Sequence, residues 1–301
     1  MTPRVSLEQW RALIAVVDAG GYQQAAESLH KSQSSVTYAV KKLEAALGVE
    51  AFAVEGRKAV LTPVGRLLYR RARELVADAG SLEQSARHLS AGWEAEIGLS
   101  VEVIFPTWLL LRCLDRFGAD SPHTRIELYE SVMRGAAEDL ESGRAQLAVT
   151  AHVPANYLGD PLLDLRFVAV AHPDHPLQRL GRPLRERDLR RHRRLIVRET
   201  SSDRPTGPGL ETEQRWTVGN MPTSIGAACR GYGFAWFPEH KIRNELAEGS
   251  LKPLPLARGA ERRVTVYLVV AEPETAGPGV ARLADILRES VAELEAQGRA
   301  G

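Results

Sequence analysis

Cysteine is nearly missing from this chain. Cys113 and Cys229 are the only two in 301 residues, which excludes a disulfide scaffold and fits a reducing compartment. Each lies in an apolar helical context that suits a small buried residue better than a redox switch. No segment approaches the about 20 uninterrupted apolar residues of a membrane helix. Nor does an apolar run follow Met1-Thr2-Pro3-Arg4 to act as a secretory signal, so a cytoplasmic location is expected. No G-x-S-x-G, Walker loop or H-E-x-x-H occurs, which counts against an enzyme. Gly231-Tyr232-Gly233 lacks the third glycine and the setting of a dinucleotide loop. His172-Pro173-Asp174-His175 is flanked by no cysteine or carboxylate cluster that would complete a tetrahedral set, so it is read as a surface turn. No metal and no cofactor are expected.

Charge of one sign is also in short supply, with 39 Lys plus Arg against 38 Asp plus Glu. That balance hides an asymmetry. Residues 1–90 carry 12 Lys/Arg and 9 Asp/Glu, and the remainder carry 27 and 29. A basic front on a neutral body points weakly to a nucleic-acid-facing N-terminal module. The length suggests about two domains at ~150 residues each, and 44% apolar with 26% charged residues describes an ordinary globular chain.

The front module reads as three helices. Ser6-Leu7-Glu8-Gln9 is a capping-box pattern, and Leu7, Trp10, Leu13, Ile14 and Val17 recur at helical spacing up to Gly20-Gly21. A short helix over Gln23–Leu29 turns Ala25, Ala26 and Leu29 inward, and His30-Lys31 makes a tight connection. A third helix starts at the cap Ser32 and stops at Gly48, with Val36, Val40, Leu43 and Leu47 on one buried stripe. Gln33, Thr37 and Lys41 share another face, with Ser34 and Tyr38 beside them. Such a face has no hydrophobic role, but it carries the donors and acceptors that read base edges in a major groove. Two helices, a tight turn and a polar third face describe a helix-turn-helix.

Phe52-Ala53-Val54 and Ala59-Val60-Leu61 read as strands around Glu55-Gly56-Arg57-Lys58, a wing with two cations at its tip. Thr62-Pro63 opens a long helix in which Val64, Leu67, Leu68, Leu75, Val76, Ala79, Leu82, Ala86 and Leu89 hold a stripe. A helix of that length exceeds the needs of a small domain and is expected to pair with a copy of itself. A two-fold dimer would present two recognition helices to a roughly palindromic site.

The stretch Ala25-Ala26, Leu29, Ser32-Gln33-Ser34-Ser35-Val36-Thr37, Leu43-Glu44, Leu47-Gly48, Phe52, Leu61-Thr62-Pro63 and Gly65 resembles the N-terminal signature of LysR-type transcriptional regulators, without a gap over about sixty positions. Gly21 stands where that family usually has Ser, Ala39 where Gln is common, and Val54 where Arg is common in the wing. Those departures bear on two polar contacts, not on the module. Arg57 matches a wing Arg position.

Beyond a hinge at Ser90-Ala91-Gly92, strands and helices alternate, which implies a parallel sheet flanked by helices. Strands are expected at 97–104, 125–129, 146–150, 166–171, 194–197, 215–218, 234–236 and 264–270. Helices are expected at 106–117, 134–142, 184–189, 220–230 and 279–296. A second unit begins near Asp164. The resemblance continues through Ile97-Gly98, the run 141–149, His175-Pro176-Leu177, Gly231-Tyr232-Gly233, Pro238 and Gly249-Ser250-Leu251, although the family usually has Asp where Gln146 stands. It implies a C-terminal α/β effector domain like a periplasmic binding protein, made of two Rossmann-like subdomains, behind an N-terminal all-α winged helix-turn-helix and a linker helix. The expected divisions are 1–62 for the DNA-binding domain, 63–90 for the linker and 91–301 for the effector domain. Subdomain I would hold 91–163 and 267–301, and subdomain II 164–266.

A cleft between two such units collects strand carboxyl ends and helix amino ends. The expected lining is Glu102, Phe105, Thr107 and Trp108; then Ser131, Met133 and Arg134; then Thr150; and from the second unit Thr200, Ser201, Ser202, Asn220 and Thr223. Singly, each hydroxyl suits a cap or turn equally well. Were Glu102 to face the cleft, it would oppose a purely anionic ligand or need a cation such as Arg134. The seven arginines within 185–198, interleaved with Glu186 and Asp188, are read as a solvated face rather than a phosphate strip.

Together these readings give an effector-responsive DNA-binding regulator. Base contacts are assigned to Gln33, Ser34, Thr37 and Tyr38, and backbone contacts to Ser35, Lys41, Lys42, Arg57 and Lys58. The expected partners are double-stranded promoter DNA, a small organic acid or aromatic effector, and further copies of the chain: a homodimer through the linker helix and, by the resemblance, a dimer of dimers. No membrane is involved. The competing readings are a small-molecule-binding protein or enzyme-like domain with a DNA anchor, and a ligand-independent DNA-bending protein.

Overall fold

The structure is a computed structural model that describes residues 2–55, 58–201, 210 and 212–299. Two units follow one another along the chain, Met1–Ala91 and Gly92–Gly301.

In the first unit, α1 (Leu7–Asp18) starts on a reciprocal capping box: the Ser6 amide donates to Gln9 Oε1 at 2.8 Å, and the Gln9 amide donates to Ser6 Oγ at 3.3 Å. The buried face differs from the expected one. Ala12, Leu13 and Val16 are buried, Leu7 is 44% exposed, and Trp10, Ile14 and Val17 are half-buried. The small Ala12 lets neighbouring helices approach, which periodicity of large side chains does not reveal. Helix α2 (Tyr22–Ser28) buries Ala25 and Ala26. His30 then takes a left-handed φ of 53° in the tight turn. Helix α3 (Gln33–Leu47) is capped by Ser32, whose Oγ accepts the Ser35 amide at 3.2 Å, and ends at Gly48 with φ 68°. Val36, Val40 and Leu43 are buried as expected, but Leu47 is 40% exposed because the helix runs past the small core that α1 offers. Strands β1 (Phe52–Glu55) and β2 (Lys58–Leu61) pair antiparallel from Phe52↔Leu61 to Glu55↔Lys58.

Thr62 Oγ1 accepts the Gly65 amide at 2.9 Å and starts α4 (Pro63–Ser90) with Pro at the first position. Of its 28 residues only Gly65 and Ala72 are fully buried, while Leu67, Leu75, Leu82 and Leu89 are about half or more exposed.

The second unit runs through β3 (Glu96–Glu102), α5 (Thr107–Asp120), β4 (Arg125–Ser131), α6 (Gly135–Glu141), β5 (Leu147–Thr150) and β6 (Gly159–Ala171). It continues through a 3-10 turn (Pro176–Arg179), α7 (Glu186–Arg190), β7 (Arg194–Val197), β8 (Arg215–Val218), α8 (Met221–Cys229) and β9 (Ala235–Pro238). A 3-10 turn (Glu239–Lys241), α9 (Arg243–Ala247), β10 (Lys252–Pro253), β11 (Glu261–Val270) and α10 (Pro278–Arg299) complete it. The expected all-parallel arrangement is corrected here. The strand order is β10-β6-β11-β5-β3-β4, with β9 also on β6. Strand β3 is parallel to β4 and β5, but β11 lies antiparallel between β5 and β6. Alternation of strand and helix fixes element type, not the direction of a strand that returns from far along the chain. Strands β7 and β8 pair parallel by themselves. The expected change-over near Asp164 falls inside β6, a 13-residue strand that pairs with β11 from Gly159 to Val168.

The main core of this unit has Leu99, Leu109, Phe117, Leu147, Leu268, Leu283 and Leu287 among its fully buried members, while α7 packs in a smaller cluster with Leu177, Leu184, Phe234 and Leu254, and α6 in another with Ala148 and Val269. Helix α5 buries Leu109, Leu110, Cys113 and Phe117, whereas Trp108 and Leu111 point away from that core at 52% and 57% exposure. No described helix is long and apolar enough to cross a membrane.

Candidate nucleic-acid interface and cleft

The α3 stripe that anchors to α1 and α2 leaves the opposite side of the helix free. Gln33, Ser34, Ser35, Tyr38, Lys41 and Lys42 are exposed there and Thr37 is half-buried. Gln33, Ser34, Thr37, Tyr38 and Lys41 line one open depression. Part of the hydroxyl set is held locally: Thr37 Oγ1 donates to the Gln33 carbonyl at 2.8 Å, and Ser32 Oγ lies 3.0 Å from Ser34 Oγ and 2.7 Å from Ser35 Oγ. Gln33 is exposed, and Tyr38 is 67% exposed with Lys42 Nζ 5.8 Å from its ring centre. Among the described residues, the ion pairs of this unit are Lys31–Glu8, Arg71–Glu74 and Arg87–Glu83, which leave Lys41 and Lys42 without a carboxylate. Uncompensated cations beside amide and hydroxyl groups suit a phosphate backbone beside base edges.

The wing is tied to α3 by a carboxylate whose role the sequence did not reveal. Glu44 Oε1 accepts the amides of Ala51 at 2.7 Å and Phe52 at 3.2 Å. The same charge, with burial the larger cause, pushes the neighbouring Tyr22 hydroxyl up to about 12. Arg57 lies outside the described residues, as does the side chain of Lys58, whose backbone opens β2.

In the second unit, parallel β3, β4 and β5 bring Glu102, Ser131 and Thr150 to one sheet end, with Glu102 directly opposite Ser131. All three are buried. Glu102 does not pair with Arg134. Its oxygens accept the Met133 amide at 3.1 Å, the Ala151 amide at 2.7 Å and the Thr150 hydroxyl at 3.4 Å. Burial nevertheless raises its carboxyl above the ordinary value, helped by nearby Glu199 and resisted by those hydrogen bonds. Among the described residues the buried Ser131 Oγ has no hydrogen-bond partner. Met133 is 55% exposed and holds a left-handed φ of 56°.

Across from this sheet end, the segment after β7 lies against the start of α6. Thr200 Oγ1 accepts the Val132 amide at 2.9 Å, Glu199 Oε1 accepts the Arg134 amide at 3.2 Å, and Ser201 Oγ donates to Glu138 at 2.7 Å. Gly135 permits this: a Cβ there would collide with Thr200 Oγ1. Thr107 is exposed and accepts a hydrogen bond from Lys241 at 2.7 Å, a contact from far along the chain that no local pattern signals. Phe105 belongs to the core rather than to an open wall. Asn220 caps α8 by accepting the Thr223 amide at 2.9 Å, and both residues are exposed. Ser202 lies outside the described residues. Among the described residues no group of three His, Cys, Asp or Glu could hold a metal ion.

Comparison with known proteins matches residues 7–66 to the family described as "Bacterial regulatory helix-turn-helix protein, lysR family" and residues 90–292 to "LysR substrate binding domain". The chain is 31% identical over 254 residues to the probable HTH-type transcriptional regulator YhaJ of Escherichia coli K12, covering 82% of this chain and 85% of that protein. It is 27% identical over 252 residues to the HTH-type transcriptional activator AllS of Klebsiella pneumoniae, covering 81% and 93%. Among solved structures, ArgP from Mycobacterium tuberculosis superposes with a TM-score of 0.55 at 23% identity, covering 94% of this chain and 96% of that one.

Proposed function

This chain belongs to the LysR family of transcriptional regulators, with a helix-turn-helix DNA-binding domain ahead of an effector-binding domain, and from that premise we propose how its residues divide the work. The exposed polar side of α3 enters the major groove of promoter DNA. Gln33, Ser34, Thr37 and Tyr38 read base edges, while Ser35, Lys41, Lys42, Arg57 and Lys58 hold the phosphates. The observation that carries this reading is a face of amide, hydroxyl and, among the described residues, unpaired ammonium groups left exposed by a helix that buries Val36, Val40 and Leu43 on its other side.

Helix α4 pairs with its copy. Its 28 residues span about 42 Å at ~1.5 Å per residue and leave Leu67, Leu75, Leu82 and Leu89 uncovered. The dimer sets two recognition helices on successive grooves of a pseudo-palindrome, and two dimers complete the assembly. DNA-binding domain, linker and effector domain divide at about 62 and 90, and the effector domain divides again into 91–163 with 267–301 and 164–266.

The effector, a small organic acid or aromatic compound, binds between those subdomains. The orphan Ser131 hydroxyl and the hydrogen bonds of residues 199–201 to the start of α6 support this place, because a ligand there competes for groups already poised to bond. To the same site we assign Glu102, Phe105, Thr107, Trp108, Met133, Arg134, Thr150, Ser202, Asn220 and Thr223. Ligand occupancy changes the angle between subdomains and so the spacing of the DNA-binding modules, coupling the two sites. The protein acts in the cytoplasm and is not an enzyme.

In vitro selection with the full-length protein and randomised duplex DNA tests the reading. The expected product is an enriched pseudo-palindrome. Failure to retain any duplex at low ionic strength would overturn it.

A further inference from the structure

The arginine-rich segment 185–198 does not behave as one solvated face. Arg190 pairs with Glu186 at 2.8 Å, and Arg193 lies over Trp216 with its guanidinium carbon 4.3 Å from the ring centre. Arg194 turns inward, 5.6 Å from the Trp236 ring centre, and donates to the Leu210 carbonyl at 2.9 Å. Arg262, from β11, lies over the same indole at 4.6 Å. The indole Nε1 is already spent on the Gly259 carbonyl at 3.0 Å, so the ring presents its apolar body. Beside it opens a cavity of about 410 Å³, walled by Trp236, Leu189 and Leu256 and rimmed by Arg185, Arg258 and Arg262.

Among the described residues no carboxylate is left to compensate this charge. The carboxylate on the rim, Glu186, is engaged by Arg190. Among the described residues Arg185, Arg258 and Arg262 form no ion pair, in contrast to Arg182, which holds Asp188 at 2.8 Å, and Arg166, which holds Glu239 at 3.0 Å. Burial lowers the pKa of Arg194, and the charges of Arg262 and Arg215 lower it further. Cations crowded around an apolar floor are stabilised by an anion that brings its own hydrophobic body.

We propose that this pocket is a second ligand site, distinct from the cleft between subdomains, for a small organic carboxylate with a compact apolar body. The apolar part packs on Trp236, Leu189 and Leu256. The carboxylate meets the guanidinium groups of Arg258 and Arg262, whose planar donors match its two oxygens. The volume lies within the range of about 300–1,000 Å³ typical of small-molecule sites.

The test is calorimetric titration of the full chain with 2-naphthoate and with neutral 2-naphthylmethanol. The expected result is saturable binding of the acid and at least about tenfold weaker binding of the alcohol, the equivalent of one lost charged contact. Arg258→Gln and Arg262→Gln, both exposed and therefore expected to keep the thermal midpoint, each weaken 2-naphthoate about tenfold. Arg243→Gln, at an exposed arginine that does not line the pocket, leaves that affinity unchanged. No binding of 2-naphthoate, an unchanged affinity in the Arg258→Gln/Arg262→Gln double variant, or an equal loss in Arg243→Gln would each overturn the proposal. The outcome does not depend on DNA binding, so the two readings fail separately.

Discussion

Gly135→Ala is the sharpest structural probe of the second unit. A Cβ at Gly135 would occupy the space of Thr200 Oγ1 and lie 3.2 Å from Ser131 Cβ. Gly135 has no positive φ, so the backbone tolerates Ala and the whole penalty is the collision. Forcing Thr200 away costs about 1–3 kcal/mol for the overpacking, and freeing the buried Val132 amide adds about 1–3 kcal/mol. A loss near 3 kcal/mol lowers the thermal midpoint of a unit this size by about 6–12 °C. Thr200→Ala by itself costs only the hydrogen bond. In the Thr200→Ala background the added methyl meets Cβ carbons at 3.0 and 3.2 Å instead of an oxygen, so Gly135→Ala should cost only about 1 kcal/mol there, a coupling of about 2 kcal/mol. Thermal unfolding of the two single variants and the double variant measures that coupling, and hydrogen exchange at the Val132 amide locates it. Strictly additive costs would refute the reasoning.

Gly65→Ala drives a methyl into the Ala51 carbonyl, which also accepts the Thr62 amide at 3.0 Å; a loss of about 1–3 kcal/mol and faster exchange in the first turn of α4 are expected, with unchanged exchange as the contrary result. His175 is pushed down to about 4, first by burial and then by His192 and His172, and its Nδ1 accepts the Leu177 amide at 3.2 Å. Its folded value lies below the ordinary 6.5, so its stabilisation is complete above about 6.5 and is lost as the pH falls toward 4. His175→Asn keeps a capping acceptor and should flatten the fall in thermal midpoint over that window; an unchanged slope would count against the assignment. Leu75→Glu with Leu82→Glu alters side chains 46% and 73% exposed, so it should dissociate the dimer in sedimentation while leaving each chain folded; an unaltered mass would exclude α4 as the pairing surface.

The first unit was legible because its signals are local. Ser6 with Gln9, Ser32, Gly48 and Thr62-Pro63 mark helix ends within a few residues of chain, and the Val36–Val40–Leu43 stripe packs on helices that immediately precede it. Where the reading strayed, the deciding contact came from elsewhere. The closeness allowed by Ala12 turned α1, and the return of β11 between β5 and β6 reversed a strand expected to be parallel. Glu102 and Thr150 stand at strand ends as the sequence suggests, but the Ala151 and Met133 amides that close on Glu102 come from loops with no periodic signal. The pairing of Gly135 with Thr200, 65 positions apart, leaves no periodic trace, and only the glycine at a helix start hints at a close approach.

Whether the bare side of α3 reads bases is decided by equilibrium binding of full-length wild type, Gln33→Ala and Lys41→Ala to single-base variants of a selected operator at two salt concentrations. The expected pattern is that Gln33→Ala loses about 1–3 kcal/mol at one position only, with the salt slope intact. Lys41→Ala should weaken every variant alike and reduce the slope by about 0.9. Equal loss on all operators for Gln33→Ala would contradict base reading by this helix.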